Sequence, residues 1–291
     1  MNPFDSYLKS WVGPVDSALD AILPPETEIP TSVHSAMRYT VFAGGKRFRP
    51  VLVLLSAKAA GGREEEAMPA ACAVEMVHAF SLIHDDLPAM DDDDLRRGKP
   101  TNHKVYGEAI AILAGDALLD HAFGALADLP RREAIPDAVR DLANAVGSRG
   151  LVGGQVEDVE AEGREPDLAT VERIHRGKTA ALLRGCARLG ARAAGASAED
   201  LDRLSEYAEM IGIAFQIVDD VLDETGGDEQ FGKTAGKDRE VRKMTWPAAV
   251  GIEASRERAR ELAARAREMT AGMPGEEILA GLAERVVART H

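Results

Sequence analysis

Apolar residues recur every three or four positions along most of this 291-residue chain, a spacing that lines one face of an α-helix. Glycine pairs and prolines interrupt the pattern and mark helix boundaries. Helices are predicted at residues 33–42, 51–60, 67–87, 106–129, 136–150, 151–161, 168–190, 198–224 and 246–270, and loops at 98–103, 163–166, 190–197 and 226–238. Because no fixed-period repeat or low-complexity linker divides the chain, we predict one all-α domain over residues 1–291, with about ten helices.

The composition is typical of a helical protein and limits the classes of partner that the protein can bind. Hydrophobic residues make up 45% and aromatic residues only 4%, a mixture that favours helices over strands. The formal net charge of −14 argues against a general nucleic-acid binder but leaves room for a local basic pocket. Cys72 and Cys186 are too few for a disulfide framework and fit small buried side chains in a reducing compartment. With no run of 18 apolar residues and no secretory pattern, we expect no membrane span and a cytoplasmic location.

The strongest chemical signal is a run of six aspartates between residues 85 and 94, at the end of an apolar helix pattern. Carboxylates this close repel one another unless a cation neutralises them, and oxygen ligands suit Mg²⁺. On a regular helix Asp85 and Asp91 would face about 120° apart. They can share a metal only if the helix deforms between them, and Pro88 supplies a reason for it to deform.

A second acidic cluster follows another apolar stretch. Gln216, Asp219, Asp220 and Asp223 stand at i, i+3, i+4 and i+7, so they are predicted to form one stripe on one helix face. A lone Asp-Asp pair would more often be a charge at a helix end. Two such clusters together can hold several Mg²⁺ ions, with Mn²⁺ as a substitute, around one polyanion.

Basic residues stand close to both clusters in the sequence. Residues 44–50 place Lys46, Arg47 and Arg49 on a loop that enters a helix, where backbone N–H groups also favour an anion. His78 lies two helical turns before Asp85 on the same face, and its alternative reading is a hydrogen-bonded core histidine. Residues 231–238 contain glycines and lysines but lack the spacing of a phosphate-binding P-loop. Acids that hold metals, facing cations, predict a site for phosphate or diphosphate groups.

These motifs together resemble the trans-polyprenyl diphosphate synthases, and most closely the bacterial farnesyl diphosphate synthases. The resemblance runs in the family's order over about residues 40–250, through residues 44–50, 85–91, 96–98, 153–155, 178–179, 216–223 and 232–234. It implies an all-α bundle around a deep central cavity and a homodimer. It also implies magnesium-assisted ionisation of an allylic diphosphate, followed by attack of isopentenyl diphosphate on the allylic carbocation.

The resemblance also implies a role for each matching residue. Isopentenyl diphosphate would be held by Lys46, Arg49, His78 and Arg97. Magnesium would be bound by Asp85, Asp91 and Asp219, with Asp223 close by. The allylic diphosphate would be contacted by Arg96, Lys178, Lys233 and Lys243. Thr179 and Gln216 would present their oxygens to the developing cation, and the departing diphosphate would be the final base.

Product length is predicted from two residues. Phe80 lies five positions before Asp85, so its Cα is about 7.5 Å deeper along the helix, where a ring would form a floor beside the small Ser81. An aromatic residue there, with the insertion at residues 87–90, resembles the bacterial farnesyl synthases. We therefore expect (2E,6E)-farnesyl diphosphate, made from dimethylallyl or geranyl diphosphate.

Three alternatives stay open at this stage. A geranylgeranyl diphosphate synthase shares every charged motif and differs only in product length. A terpene cyclase or squalene-type synthase would share the acidic clusters but would not need the second diphosphate pocket implied by Lys46, Arg49 and His78. A non-enzymatic helical protein that chelates divalent cations would bind them without any dependence on diphosphate.

Overall fold

The structure is a computed structural model that describes residues 2–226 and 244–288. Its helices are α1 (Pro3–Ile22), α2 (Thr31–Val41), α3 (Phe48–Ala59), α4 (Met68–Asp85), α5 (Asn102–Tyr106), α6 (Glu108–Leu126), α7 (Ile135–Val146), α8 (Leu151–Ala161), α9 (Leu168–Ile174), α10 (Ala181–Ala194), α11 (Ala198–Thr225), α12 (Trp246–Val250), α13 (Ile252–Met269) and α14 (Glu276–Val287). A π-helical segment, His175–Ala180, joins α9 to α10. Two short antiparallel strands, β1 (Leu95–Arg96) and β2 (Lys99–Pro100), are the sheet in the described part of the chain. The all-α fold class is confirmed.

Several predicted helices have different bounds in the structure. The helix predicted at 168–190 consists of α9, the π-helical segment and α10, and α10 continues to Ala194, so the loop predicted from residue 190 is shorter. The helix predicted at 246–270 is divided between α12 and α13 at Gly251, whose φ of 85° is left-handed. The helices predicted to end at residues 87, 129 and 150 end at Asp85, Leu126 and Val146. Residues 98–103 contain β2 and the start of α5 in addition to a loop.

The hydrophobic pattern missed the helices at the two ends of the chain. Gly13 and Pro14 interrupt α1 and Gly281 interrupts α14, and all three are residue types that usually end helices. Tertiary contacts hold both helices nonetheless: the Asn2 side chain caps α1 by accepting from Phe4 N (2.8 Å) and donates to Gly281 O (2.9 Å). These contacts fasten α1 to α14.

The apolar face of each central helix packs on a neighbour, and these contacts form a continuous series. Helix α4 packs against α3 and α6, α3 against α10, α10 against α11, and α11 against α13. Helices α4 and α11 carry the two acidic motifs at their C-terminal ends; most of α4 and the apolar face of α11 are buried. The core therefore fixes the position of both acidic ends.

Two segments of the described chain are long and apolar enough to cross a membrane by length and composition alone, Glu64–Asp85 and Glu108–Leu126. The first is 72% buried within the protein, as expected of a core helix. The second, which is α6, is only 39% buried. Its exposed apolar side chains include Ile112 and Leu113.

Candidate active site

The first acidic motif forms a turn that returns the chain to the end of α4. The Asp91 N–H donates to Asp85 O (2.8 Å), and the Met90 N–H donates to Leu87 O (2.9 Å). The helix therefore stops just before Pro88, and the turn brings Asp91 back beside Asp85. This is the deformation that a metal site shared by these two aspartates requires.

Asp85 lies in an environment that opposes its ionisation. Burial raises its pKa to about 6, with the Asp91 charge adding to the effect and Lys178 and Arg96 opposing it. A divalent cation would relieve this cost, because it stabilises the ionised carboxylate. The oxygen-only donor set of Asp85, Asp91, Asp219 and Asp223 fits Mg²⁺. Asp219 is half-buried and Asp223 is exposed on α11.

Arg96 binds the acidic motif from the strand β1. Its Nε donates to Asp86 Oδ1 (2.7 Å), and its Nη2 lies 3.7 Å from Asp93 Oδ2. Asp86 and Asp93 are both buried. Arg96 thus neutralises two of the four aspartates of this motif that the implied metal set leaves out, and its contact with the allylic diphosphate stays a prediction.

The π-helical segment places Lys178 between α8 and the end of α4. Lys178 Nζ donates to Asp158 Oδ2 on α8 (2.6 Å). Burial lowers the Lys178 pKa, but the Asp158 and Asp85 carboxylates outweigh it, so the pKa lies above its usual value and the ammonium is retained. Gly154 permits this approach, because a Cβ there would clash with the backbone of Gly177 and Lys178. Asp158 was not predicted from the sequence, although Asp158 follows the Gly153–Gln155 motif by three residues.

The next residue of the same segment contacts α11. Thr179 Oγ1 donates to Gln216 Oε1 (2.8 Å), which joins the two residues predicted to face the developing cation. Gly212, one turn earlier on α11, makes this approach possible, because a Cβ there would lie 2.6 Å from Ala180 Cα. Lys233 and Lys243, predicted to contact the allylic diphosphate, lie outside the described residues.

The predicted stripe of four polar residues on α11 is not uniform. Asp220 points into the protein and is only 7% exposed, whereas Asp219 and Asp223 are more accessible. The Asp220 Oδ2 atom accepts from the Trp246 backbone N–H (2.9 Å) and lies 3.1 Å from His175 Nε2. Asp219 and Asp220 are consecutive and therefore lie about 100° apart around the helix, so they meet different neighbours. Sequence reasoning missed His175 and Trp246, which are distant from the motif along the chain.

A second site lies where the loop before α3 meets α4. It is a cavity of about 700 Å³ whose charged lining is mainly cationic: Lys46, Arg47, Arg49, Arg97 and Arg285, with Glu75 as its acid. His78 and apolar residues, which include Phe4, Leu8, Phe48, Leu183 and Phe215, complete the lining. Arg49 Nη1 lies 3.3 Å from His78 Nε2, and Arg49 Nε is buried without a hydrogen-bond partner. An unsatisfied guanidinium nitrogen in a cationic cavity fits an anion. The structure thus brings Lys46, Arg49, His78 and Arg97 together.

Charge and burial hold His78 neutral in this cavity. Burial lowers its pKa well below the usual value, and the Arg49 and Arg97 charges lower it further. Burial likewise lowers the pKa of Arg49 and of Arg97. The cluster of cations is therefore costly until an anion enters.

Arg47, next to these cations, has a different role. Its guanidinium is buried and donates to Glu75 Oε1 (2.6 Å), Asp16 Oδ1 (2.6 Å) and Val41 O (2.8 Å). It therefore joins α1, α2 and α4 and anchors the loop of Lys46 at the start of α3, where Arg49 lies. Glu75 was not found from the sequence, where it is a single acid within an apolar helix.

Phe80 and Ser81 face different surroundings on α4. The Phe80 ring packs edge-on against the His84 ring (5.0 Å between centroids), and His84 Nε2 lies 3.1 Å from Ile112 O of α6. At about 100° per residue, Phe80 lies about 140° around the helix from Asp85, whereas Ser81 lies only about 40° away. The small Ser81, whose hydroxyl donates to His78 O (3.0 Å), therefore stands one turn below the aspartate.

Comparisons with known proteins agree on one class. A family model described as polyprenyl synthetase matches residues 30–274. The heterodimeric geranylgeranyl pyrophosphate synthase large subunit 1 of Arabidopsis thaliana is 49% identical over 99% of this chain and 80% of its own. The dimethylallyltranstransferase of Fischerella ambigua is 48% identical over 98% and 83%. A crystal structure of an FPP/GFPP synthase from Zymomonas mobilis superposes with a TM-score of 0.86 at 33% identity and covers 98% of each chain. A putative farnesyl-diphosphate synthase from Marinomonas sp. MED121 gives 0.84 at 34% identity, with 99% of each chain covered.

Proposed function

This chain belongs to the polyprenyl synthetase family, and from that premise we propose that it joins isopentenyl diphosphate head to tail to an allylic diphosphate. The observation that carries the proposal is the presence of two separate anion sites. One is the acidic turn of Asp85 and Asp91 beside Lys178, and the other is the cationic cavity around Arg49 and His78. A cyclase, which binds one diphosphate, has no use for the second.

The residues of the acidic site would ionise the allylic diphosphate. Asp85, Asp91, Asp219 and Asp223 would hold Mg²⁺, which supplies positive charge to the departing diphosphate. The Lys178 ammonium stabilises the same charge as it develops. Thr179 and Gln216 direct oxygen lone pairs toward the carbon that becomes positive. The apolar helices around them exclude water, which would convert the cation to an alcohol.

The cationic cavity holds the second substrate ready for attack. Arg49 and Arg97 would bind the diphosphate of isopentenyl diphosphate, with Lys46 at the exposed edge. Neutral His78 can donate or accept one hydrogen bond there without adding charge. The proton released after bond formation would go to the departed diphosphate, since no side chain in the described site has the properties of a dedicated base.

For product length we propose geranylgeranyl diphosphate, which the names of several curated relatives support. The geometry of α4 supports it as well, because Ser81 leaves space one turn below Asp85. Farnesyl diphosphate is the second candidate: the Phe80 ring would set a floor, and solved relatives carry farnesyl synthase names.

We also propose that the chain pairs with a second copy. Helix α6 is strongly apolar yet only 39% buried, and Ile112 and Leu113 are 43% and 54% exposed. A face of this kind is typical of a subunit interface. The homodimer would be recognised by twice the chain mass in light scattering.

The test is incubation of the purified protein with isopentenyl and dimethylallyl diphosphates and Mg²⁺, with chromatography of the dephosphorylated products. We expect C20 alcohol as the main product, and a main C15 product would support the second candidate. Arg49→Ala should raise the KM for isopentenyl diphosphate, whereas Asp91→Asn should chiefly lower kcat. Binding of Mg²⁺ with no diphosphate consumed, and no activity with Mn²⁺ either, would overturn the enzymatic proposal.

A further inference from the structure

A buried series of hydrogen bonds begins at Thr179 and Gln216, the residues proposed to face the developing carbocation. Thr179 donates to Gln216 Oε1 (2.8 Å), Gln216 Nε2 donates to Asp220 Oδ1 (3.1 Å), and His175 Nε2 lies 3.1 Å from Asp220 Oδ2. The backbone N–H of Trp246 donates to the same Oδ2 (2.9 Å). These hydrogen bonds join the π-helical segment, α11 and α12.

This arrangement determines which way the Gln216 amide points. Both Asp220 oxygens have donors next to them, and Gln216 Nε2 donates to one, so the Gln216 NH₂ group is directed toward Asp220. Its carbonyl oxygen then faces Thr179. In the opposite orientation, the Gln216 oxygen would face a carboxylate and its N–H groups would face the site of positive charge. A fixed Asp220 therefore fixes an oxygen at that site.

His175 is placed to hold Asp220 and contacts no substrate position. Its side chain is 3% exposed, and its ring stacks on Trp246 with 5.6 Å between centroids and 29° between planes. Its Nδ1 is buried without a hydrogen-bond partner. A buried ring with one unsatisfied nitrogen costs stability, so its remaining hydrogen bond is the feature that explains a histidine here.

We propose that His175 is a positioning residue for prenyl transfer. Its Nε2–H group holds Asp220, Asp220 orients the Gln216 amide, and Gln216 and Thr179 then present oxygens to the developing carbocation. This inference rests on the proposed function. It predicts a loss in kcat with little change in the KM of either diphosphate, because His175 touches neither anion site.

The test compares two variants of His175. His175→Phe keeps an aromatic ring against Trp246 but removes the N–H donor. We expect kcat to fall by about 10- to 100-fold, the range for misplacement by a remote residue, with both KM values within about twofold of the wild type. His175→Gln restores an N–H donor at similar reach and should recover at least a third of the wild-type kcat. His34→Phe, at a buried histidine of α2, is the control for lost packing.

A double-mutant cycle separates positioning from general stability. In a Gln216→Ala background, His175→Phe should change kcat less than twofold, because the residue through which it acts is gone. Melting temperatures of all variants show whether they fold. Full kcat in His175→Phe, equal losses in the Phe and Gln variants, or additive losses in the double mutant would each overturn the proposal. If the wild-type protein transfers no prenyl group, the proposed function fails first, and that outcome is visible before any variant is made.

Discussion

Replacing Phe80 with alanine tests whether its ring is the floor of the site on the α4 side. Phe80 is 7% exposed, and the next residue on the same helix face is Met76, which is fully buried. One turn of α-helix is about 5.4 Å, a distance comparable to one isoprene unit. If the ring is the floor that stops chain growth, Phe80→Ala should shift the main product upward by five carbons.

The substitution also removes a packed aromatic ring, and this cost must be separated from the effect on product length. Loss of a buried phenylalanine side chain lowers the free energy of unfolding by about 3–5 kcal/mol, and loss of the edge-to-face contact with His84 by about 0.5–1.5 kcal/mol. Unfolded molecules make no product, so the ratio of product lengths reports only on folded enzyme. Phe80→Tyr keeps the ring and should leave the product unchanged.

Ser81→Phe tests the same geometry in the opposite direction. A ring at this position stands about 40° from Asp85 around the helix and should shorten the product by at least five carbons. Each variant is incubated with isopentenyl and dimethylallyl diphosphates, and the dephosphorylated alcohols are separated by chain length. An unchanged main product in Phe80→Ala, at measurable turnover, would refute the ring as the floor. An unchanged main product in Ser81→Phe would refute a role in chain length for the space beside Ser81.

Two further predictions follow from burial and close backbone contact. Burial raises the pKa of Asp85 to about 6, above the value of about 3.9 in an unfolded chain, so ionisation costs stability as pH rises through this interval. Metal-free Asp85→Asn should therefore gain up to about 3 kcal/mol in denaturant unfolding at pH 8 and nothing at pH 4; an equal gain at both values would contradict this. Gly212→Ala should lose about 1–3 kcal/mol and much of kcat, because its Cβ would press on Ala180. Gly13→Ala on α1, with open space around it, is the control and should keep full activity; normal turnover in Gly212→Ala would show that the close approach is dispensable.

Residue patterns along the chain predicted much of this architecture. Most helices follow from apolar spacing, and α8 was predicted with its observed bounds. The break at Pro88 followed from local chemistry, because two carboxylates can share a cation only if the chain turns between them. Residues 46, 49, 78 and 97 were grouped through the family resemblance, and the structure brings them to one cavity.

Other features depend on contacts that no local pattern encodes. The π-helical segment has no distinct spacing signal, because one widened turn barely alters the apolar periodicity. Glu75 and Asp158 each pair with a cation at least 20 residues away in the chain. The Arg96 side chain was predicted to contact a diphosphate, but which acids it pairs with depends on how β1 lies against the end of α4. Which acidic and basic side chains pair with each other is therefore decided by the tertiary structure.

The π-helical segment explains how neighbouring residues can have opposite electrostatic tasks. Lys178 faces Asp158 on α8, and Thr179, the next residue, faces Gln216 on α11. Glycines at the two contacts let the segment approach both helices at backbone distance. Consecutive residues thus supply the two stabilising groups: Lys178 a positive charge for the leaving diphosphate, and Thr179 an oxygen for the carbon that becomes positive. The backbone fixes the spacing between them. Since the charges that separate in the reaction start one bond apart, stabilising groups held this close together act on both from the start of bond cleavage.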